Sequence, residues 1–384
     1  MSPLIQVQPL SRNKRRLVFI SALLLFLVAV PVSVFYAIGY RFDFSDKLNS
    51  IKSVGGLYVR NDIENTEMFV NDAPVVDMRV FQKAAYIQNL TAGMHRVHVQ
   101  GDLVQTWVKE LPVYAHFVTE VASFNVPKVP QIRILTPWFD AISGESIVFD
   151  TATSSEFNFA STTNILRFSS TTATTTFVAN SEYQYIRSLF ASSTELKQIL
   201  TLQTKTATPK KPTFNVATSS ARLIVATTTK SYQNVTLFEK GDDVYISWGG
   251  DSQNIPYYYC VQYTDAETTT LEYGVHVYLS LQNQFASSTD LDVHEGERIC
   301  RDHIRIDRLN QDITWFDFHP DSTDLVLMLL EDGLYVVEAD DRSWQNTQLL
   351  YPGRKLDAVQ DGGRIFVHDG EYYLEVFTEM ASSQ

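Results

Sequence analysis

The densest set of reactive side chains in this sequence is "DVHEGERICRDH" at 292–303, where His294 and His303 flank Cys300 beside Asp292, Glu295, Glu297 and Asp302. Imidazole, thiolate and carboxylate are all metal ligands, but zinc sites recur with short fixed spacings between them, and none of those spacings is present. The segment therefore reads as a solvated loop. His95 and His98 are three apart in an alternating apolar stretch, so they face opposite sides of a strand, which disfavours joint ligation. Asp321 and Asp324 lack the acid ladder, glycine and glutamate of a calcium loop, and turn chemistry accounts for them.

No G-x-S-x-G elbow, H-E-x-x-H or P-loop occurs. Glycoside hydrolysis needs only two carboxylates at one site, and an acidic chain can hold such a pair without a motif. The sequence thus names no catalytic residue, no cofactor and no metal ligand. The reading leans to a non-catalytic protein, with a propeller hydrolase acting on surface glycans as the alternative. Cys260 and Cys300, in "YYYCVQY" and "ERICRDH", are the two cysteines. If they lie outside the cytoplasm, oxidising surroundings favour their pairing. A disulfide closing a loop of this length is worth about 4 kcal/mol in the chain-entropy model.

The elements that would position these residues begin with "LVFISALLLFLVAVPVSVFYAIG" at 17–39, which carries no charge. At 1.5 Å per residue it can cross a hydrocarbon core of roughly 30 Å, and it exceeds the usual h-region of a cleaved signal peptide. Arg12, Lys14, Arg15 and Arg16 precede it, and basic residues beside a first span stay cytoplasmic. The expectation is a single-pass signal-anchor: 1–16 in the cytoplasm, 17–39 in the lipid bilayer, and everything beyond outside. With those four cations set aside, 27 basic residues face 44 acidic ones, a net charge of −17. Such a body repels nucleic acid.

Residues 53–126 alternate short apolar runs with turn signals, which predicts a small antiparallel β-sandwich. "MFVNDAPV" at 68–75 and "YIQNLTAGMHRVHVQGDLVQTWVKELPV" at 86–113 resemble the PEGA domain, a small β-sandwich of bacterial envelope proteins. Asn71-Asp72 holds the family's turn, Leu90 to Gly93 its Leu-x-x-Gly segment, and Trp107 its downstream aromatic. Asp72 stands where glycine is usual, and Ile63-Glu64-Asn65-Thr66 replaces the Pro-Glu-Gly-Ala tetrapeptide. The resemblance implies a structural or binding module. Trp107 is expected as a core anchor of this sandwich, among Leu103, Val108 and Leu111.

After "VPKVPQ" at 126–131 the chain turns rich in Thr, Ser, Tyr and Phe. Aromatics interrupt the Thr/Ser tract at 151–177, which predicts strands, with a loop at 204–213. "DSTDLVLMLLEDGLYVVEAD" from Asp321 and "DGGRIFVHDGEYYLEVFTE" from Asp361 both run turn, strand, Asp-Gly turn, strand, 40 residues apart. That interval suits a β-propeller blade. "WFDFHPDSTDL" at 315–325 resembles the opening of blades in Tol-type and WD-repeat propellers. The predicted architecture is an all-β ectodomain, with a sandwich at 53–126 and a propeller at 131–379. Its predicted role is a tethered binding or scaffolding module of the cell envelope, touching cell-wall polymer or another envelope protein. A sensor or partner subunit of an envelope complex is a further alternative.

Overall fold

The structure is a computed structural model and describes residues 11–43, 50–63, 66–75, 78–79, 84–141, 144, 146–147, 157–159, 165–168, 176–191, 229–263, 265–287 and 297–380. Asp292, His294 and Glu295, the loop at 204–213, and Glu64-Asn65 lie outside the described residues, as does most of the tract at 151–177. The chain divides into two compact units, Met1–Val99 with Val108–Phe124, and Gln100–Trp107 with Asn125–Gln384.

The first unit opens with helix α1, Arg12–Ile38, whose most apolar window has a mean hydropathy of 2.8. It is long and apolar enough to cross a membrane: 27 residues span about 40 Å. The basic cluster forms its first turns, so the helix starts earlier than the uncharged run, and Pro31 lies within it. Gly39 ends it in the left-handed region, with φ +101°.

Strands follow without a linker. β1 (Tyr40–Asp43) pairs with β2 (Ser50–Asn61). β3 (Glu67–Val70) and β4 (Ala73–Pro74) form a hairpin, and β5 (Met78–Arg79) leads to β6 (Ala84–Thr91). β7 (Gly93–Gln100), β8 (Trp107–Val113) and β9 (Val118–Ser123) complete the set. One sheet runs β1-β2-β6-β5, with β9 added parallel to β2; the other runs β4-β3-β7-β8. Both contribute to the buried interior, Leu57 and Val59 from β2, Val97 and Val99 from β7, Leu111 and Val113 from β8. The β3–β4 turn has Asn71 and Asp72 at φ 50° and 64°, a two-residue turn with both centres left-handed. Asn and Asp tolerate that conformation, so the turn forms without a glycine.

The second unit is built from antiparallel sheets. β10 (Gln131–Leu135) is followed by β11 (Trp138–Asp140), β12 (Ser146–Ile147), β13 (Phe157–Phe159), β14 (Ile165–Phe168) and β15 (Thr176–Ala179). β11 to β15 share one sheet, so the aromatics at 157 and 159 and Phe168 lie on strands, as the Thr/aromatic pattern predicts. β16 (Thr229–Tyr232), β17 (Val235–Lys240) and β18 (Asp243–Trp248) form a meander. β19 (Cys260–Gln262) pairs with β20 (Arg298–Cys300), and β21 (His303–Arg305) joins β18.

The last strands are β22 (Trp315–Phe318), β23 (Leu325–Leu330), β24 (Gly333–Glu338), β25 (Thr347–Pro352), β26 (Asp357–Asp361), β27 (Arg364–Asp369) and β28 (Tyr372–Phe377). β22 to β25 form one four-stranded sheet in chain order, while β26-β27-β28 take β10 as their fourth strand. The two 40-residue repeats are thus the hairpins β23–β24 and β27–β28. Gly333 starts β24 where a Cβ would lie 2.7 Å from the Tyr351 carbonyl, so the tight β24–β25 approach needs glycine.

Two expectations are corrected. The region is not purely β: it contains α2 (Ser181–Phe190), α3 (Ala266–Tyr273) and α4 (Val275–Ser287). Asn180 accepts from the Glu182 and Tyr183 amides at 3.0 and 3.3 Å, and Asp265 from the Thr268 amide at 2.9 Å. Such caps favour helix over the β preference of threonine. Ile186 in α2, and Val277 and Leu281 in α4, are buried. Trp107 is buried, but it belongs to the second unit. Its indole Nε1 donates to Glu338 Oε2 at 3.0 Å, and Leu103 is 64% exposed. A buried indole N–H needs an acceptor, and Glu338 supplies one.

Candidate functional site

Cys260 and Cys300 sit opposite each other in the β19–β20 register and form a disulfide, with Cα atoms 3.9 Å apart. The next residue, Arg301, is carried inward by that pairing. Its backbone amide donates to the Tyr259 carbonyl at 3.0 Å, and Nη2 donates to the Tyr258 carbonyl at 3.2 Å. Both Nη atoms bind the Asp341 carboxylate, Nη1 to Oδ2 at 2.7 Å and Nη2 to Oδ1. The Arg301 side chain is 1% exposed. One residue on, Arg342 pairs with Asp340 at 2.8 Å and lies over the Tyr257 ring. Burial pushes the Tyr258 and Tyr259 phenols upward, and both are neutral at ordinary pH.

Arg301 and Asp341 form part of the floor of a cleft of about 790 Å³ within the second unit. Helix α4 presents His276, Leu279 and Asn283, which share one face by their spacing of three and four. β18 and β21 contribute Tyr245, His303 and Arg305. Trp344, 46% exposed, and Gln345 come from the segment after β24. His276 Nε2 donates to the Asp341 carbonyl at 3.1 Å, which fixes its tautomer. His303 stands edge-on to Tyr245, with ring centroids 5.4 Å apart. Burial lowers its pKa, Asp302 opposes that shift, and Lys240 and Arg301 add to it.

Lys240, Arg301 and Arg305 match Asp302, Asp307 and Asp341 in number around this cleft, in a chain whose net charge is −13. Two of the three carboxylates already have structural duties. Asp341 is held by the Arg301 fork, and Asp307 Oδ1 accepts the Leu309 amide at 3.1 Å. The cleft therefore offers an indole face, a phenol, amides and imidazoles, with Asp302 as its third acid.

Of the side chains singled out from sequence, the disulfide, Asp302 and His303 come together here. His95 and His98 part as alternation requires: His95 is buried beside Asn71 at 2.7 Å, and His98 stacks on Phe69. Asp324 is engaged by Ser322 in the turn before β23. Among the described residues no group of three His, Cys, Asp or Glu is placed to hold a metal ion. Sequence reasoning missed Arg301, Asp341, Trp344 and the α4 wall. The Asp265 cap and Gly274 between the helices were the available signals. Compared with known proteins, the chain matches no family model, no curated protein and no solved structure.

Proposed function

We propose that the protein is a membrane-anchored, extracytoplasmic binding module of the bacterial cell envelope, non-catalytic, that holds an uncharged hydroxylated polymer, of the cell-wall glycan kind, in this cleft. Helix α1 is the anchor, and the basic residues from Arg12 to Arg16 keep its N-terminus cytoplasmic. The first unit is read as a PEGA-type sandwich, supported by its two sheets and the Asn71-Asp72 turn. The second is read as a propeller. Support comes from its recurring four-stranded sheets and from β10, which joins the first strand of the unit to the last sheet.

The observation that carries the binding role is the lining of the cleft. A flat exposed indole beside planar amides suits a sugar ring, whose apolar face stacks while its hydroxyls exchange hydrogen bonds. Acid–base hydrolysis would instead call for two uncommitted carboxylates, and the Arg301 pair removes Asp341 from that role. The test is co-sedimentation of the full chain, in detergent, with insoluble cell-wall polymer. Trp344→Ala and Asn283→Ala should each weaken retention about 10-fold or more, the loss of one good stacking or hydrogen-bonding contact. Retention unchanged in both variants would remove the cleft from the function.

A further inference from the structure

The end of the first unit next to α1 carries apolar side chains that stay exposed among the described residues, and its hydrogen bonds tie them to the end of the helix. α1 stops at Ile38, Gly39 caps it, and β1 begins at Tyr40. The junction is tied from several sides. The Val54 amide donates to the Gly39 carbonyl at 2.8 Å, and the His116 amide to the Val54 carbonyl at 3.0 Å. His116 Nδ1 also bonds the Ile38 carbonyl, and its ring lies 4.9 Å from that of Tyr40. Arg41 donates to the Tyr36 carbonyl at 2.6 Å and to Asn89 Oδ1 at 2.7 Å, with its guanidinium 3.4 Å over the Tyr36 ring. Gly55 lets the turn between β8 and β9 come this close, since a Cβ there would meet the Tyr114 carbonyl.

The residues after His116 on that turn are Phe117, 60% exposed, and Val118, 51% exposed. Resting on the reading of α1 as a membrane span, we propose that Phe117 and Val118 insert into the headgroup–acyl boundary of the leaflet where α1 ends, seating the first unit directly on the bilayer. A spanning helix places its end at that boundary, and Tyr36 and Tyr40 are the aromatics expected there. A turn bonded to the last helical carbonyl lies at the same depth. Arg41 sends its charge along Tyr36 toward the headgroups, as long cationic side chains at helix ends do. The bilayer is the occupant because chain continuity brings it there, with no linker to hold the sheets away.

The test uses the full chain in lipid nanodiscs. Cys260 and Cys300 are paired, so an added cysteine takes a fluorophore alone. Labels are placed at Phe117→Cys, at Val118→Cys, at Val34→Cys inside the span, and at Asp62→Cys. Asp62 follows the far end of β2, about 30 Å of strand from Ser53. Nitroxide on the lipid just below the headgroup should quench positions 117 and 118 at least roughly twofold more than position 62. Quenching at 34 with none at 117 and 118 would overturn the seat while leaving the span intact. No quenching at 34 would overturn the span and the seat with it. Both exposed positions tolerate cysteine without loss of core packing, and agreement between them guards against one failed variant.

Discussion

Arg301 and Arg364 each grip a carboxylate that is itself buried, yet one guanidinium is sealed from water and the other is more than a third exposed. Arg301 and Asp341 form a buried pair beside a disulfide, and the remaining Arg301 donors go to backbone carbonyls. Arg364 belongs to a ring of four: it and Arg133 both bind Glu375 and Glu182. That ring links β10, α2, β27 and β28, the strands where the start of the second unit meets its end. A sealed pair has lost the hydration of both charges, so removing one partner strands the other in low dielectric. A half-exposed ring shares its charges with water and with each other, so single losses are softened and salt or acid matters more. The same pairing of residue types thus makes a brittle floor in one place and a tolerant clasp in the other.

The contrast is broken most easily at Arg301. Arg301→Met should cost about 3–5 kcal/mol in chemical denaturation, because Asp341 stays buried without its partner. Adding Asp341→Leu should restore much of the loss, and a single variant within about 1 kcal/mol of wild type would mean water reaches the pair. Next comes the disulfide that holds the segment beside Arg301: reducing it, or Cys260→Ser with Cys300→Ser, should cost about 2–4 kcal/mol. Trp107→Phe keeps most of the apolar volume but leaves the Glu338 carboxylate one donor short, a loss of about 1–3 kcal/mol.

The smallest effect belongs to the clasp. Arg133→Gln should cost about 1 kcal/mol or less, and less still in high salt. Acid acts on the same ring. Hydrogen bonds from Arg133 and Arg364 hold Glu182 down at about 2, and Glu375 is lowered against the cost of its burial. A carboxylate with a depressed folded pKa stabilises fully above its unfolded value near 4.5 and loses that contribution as the pH falls toward 2. His303 and His319 are lowered by burial, so the unfolded chain takes up their protons first. Their contribution should fade earlier, as the pH drops below about 6.5. Urea titrations from pH 8 to 2 should show two successive losses, and Glu182→Gln should flatten the lower one.

Much of this was legible in the sequence where local rules govern. The uncharged run at 17–39 gave a membrane-length helix, the alternation at His95, Val97 and Val99 gave its buried face, and the 40-residue interval gave two matched hairpins. Asp332-Gly333 and Asp369-Gly370 marked their turns. The cysteine pair was expected from count, given an oxidising compartment. What was not legible depended on partners distant in sequence. Nothing local tells that Asp341 will meet Arg301, or that Trp107, the first residue of β8, will find Glu338. The helices at 266–287 were hidden because threonine-rich segments read as strands unless the cap at Asp265 is weighed first. The clasp joins Arg133 to Glu375 across almost the whole second unit, and no spacing rule reaches that far.

If the floor of the cleft is structural and the cleft only binds, the wild-type chain should hold polymer without changing it. The direct measurement is chain length: incubate the full-length protein with end-labelled soluble cell-wall glycan and follow retention and polymer size together over a day. The expected result is retention that Trp344→Ala weakens about 10-fold or more, with the polymer unshortened and no new reducing ends. Shortening that proceeds with wild type and stops with Asp302→Asn would make the cleft a hydrolase site and contradict it.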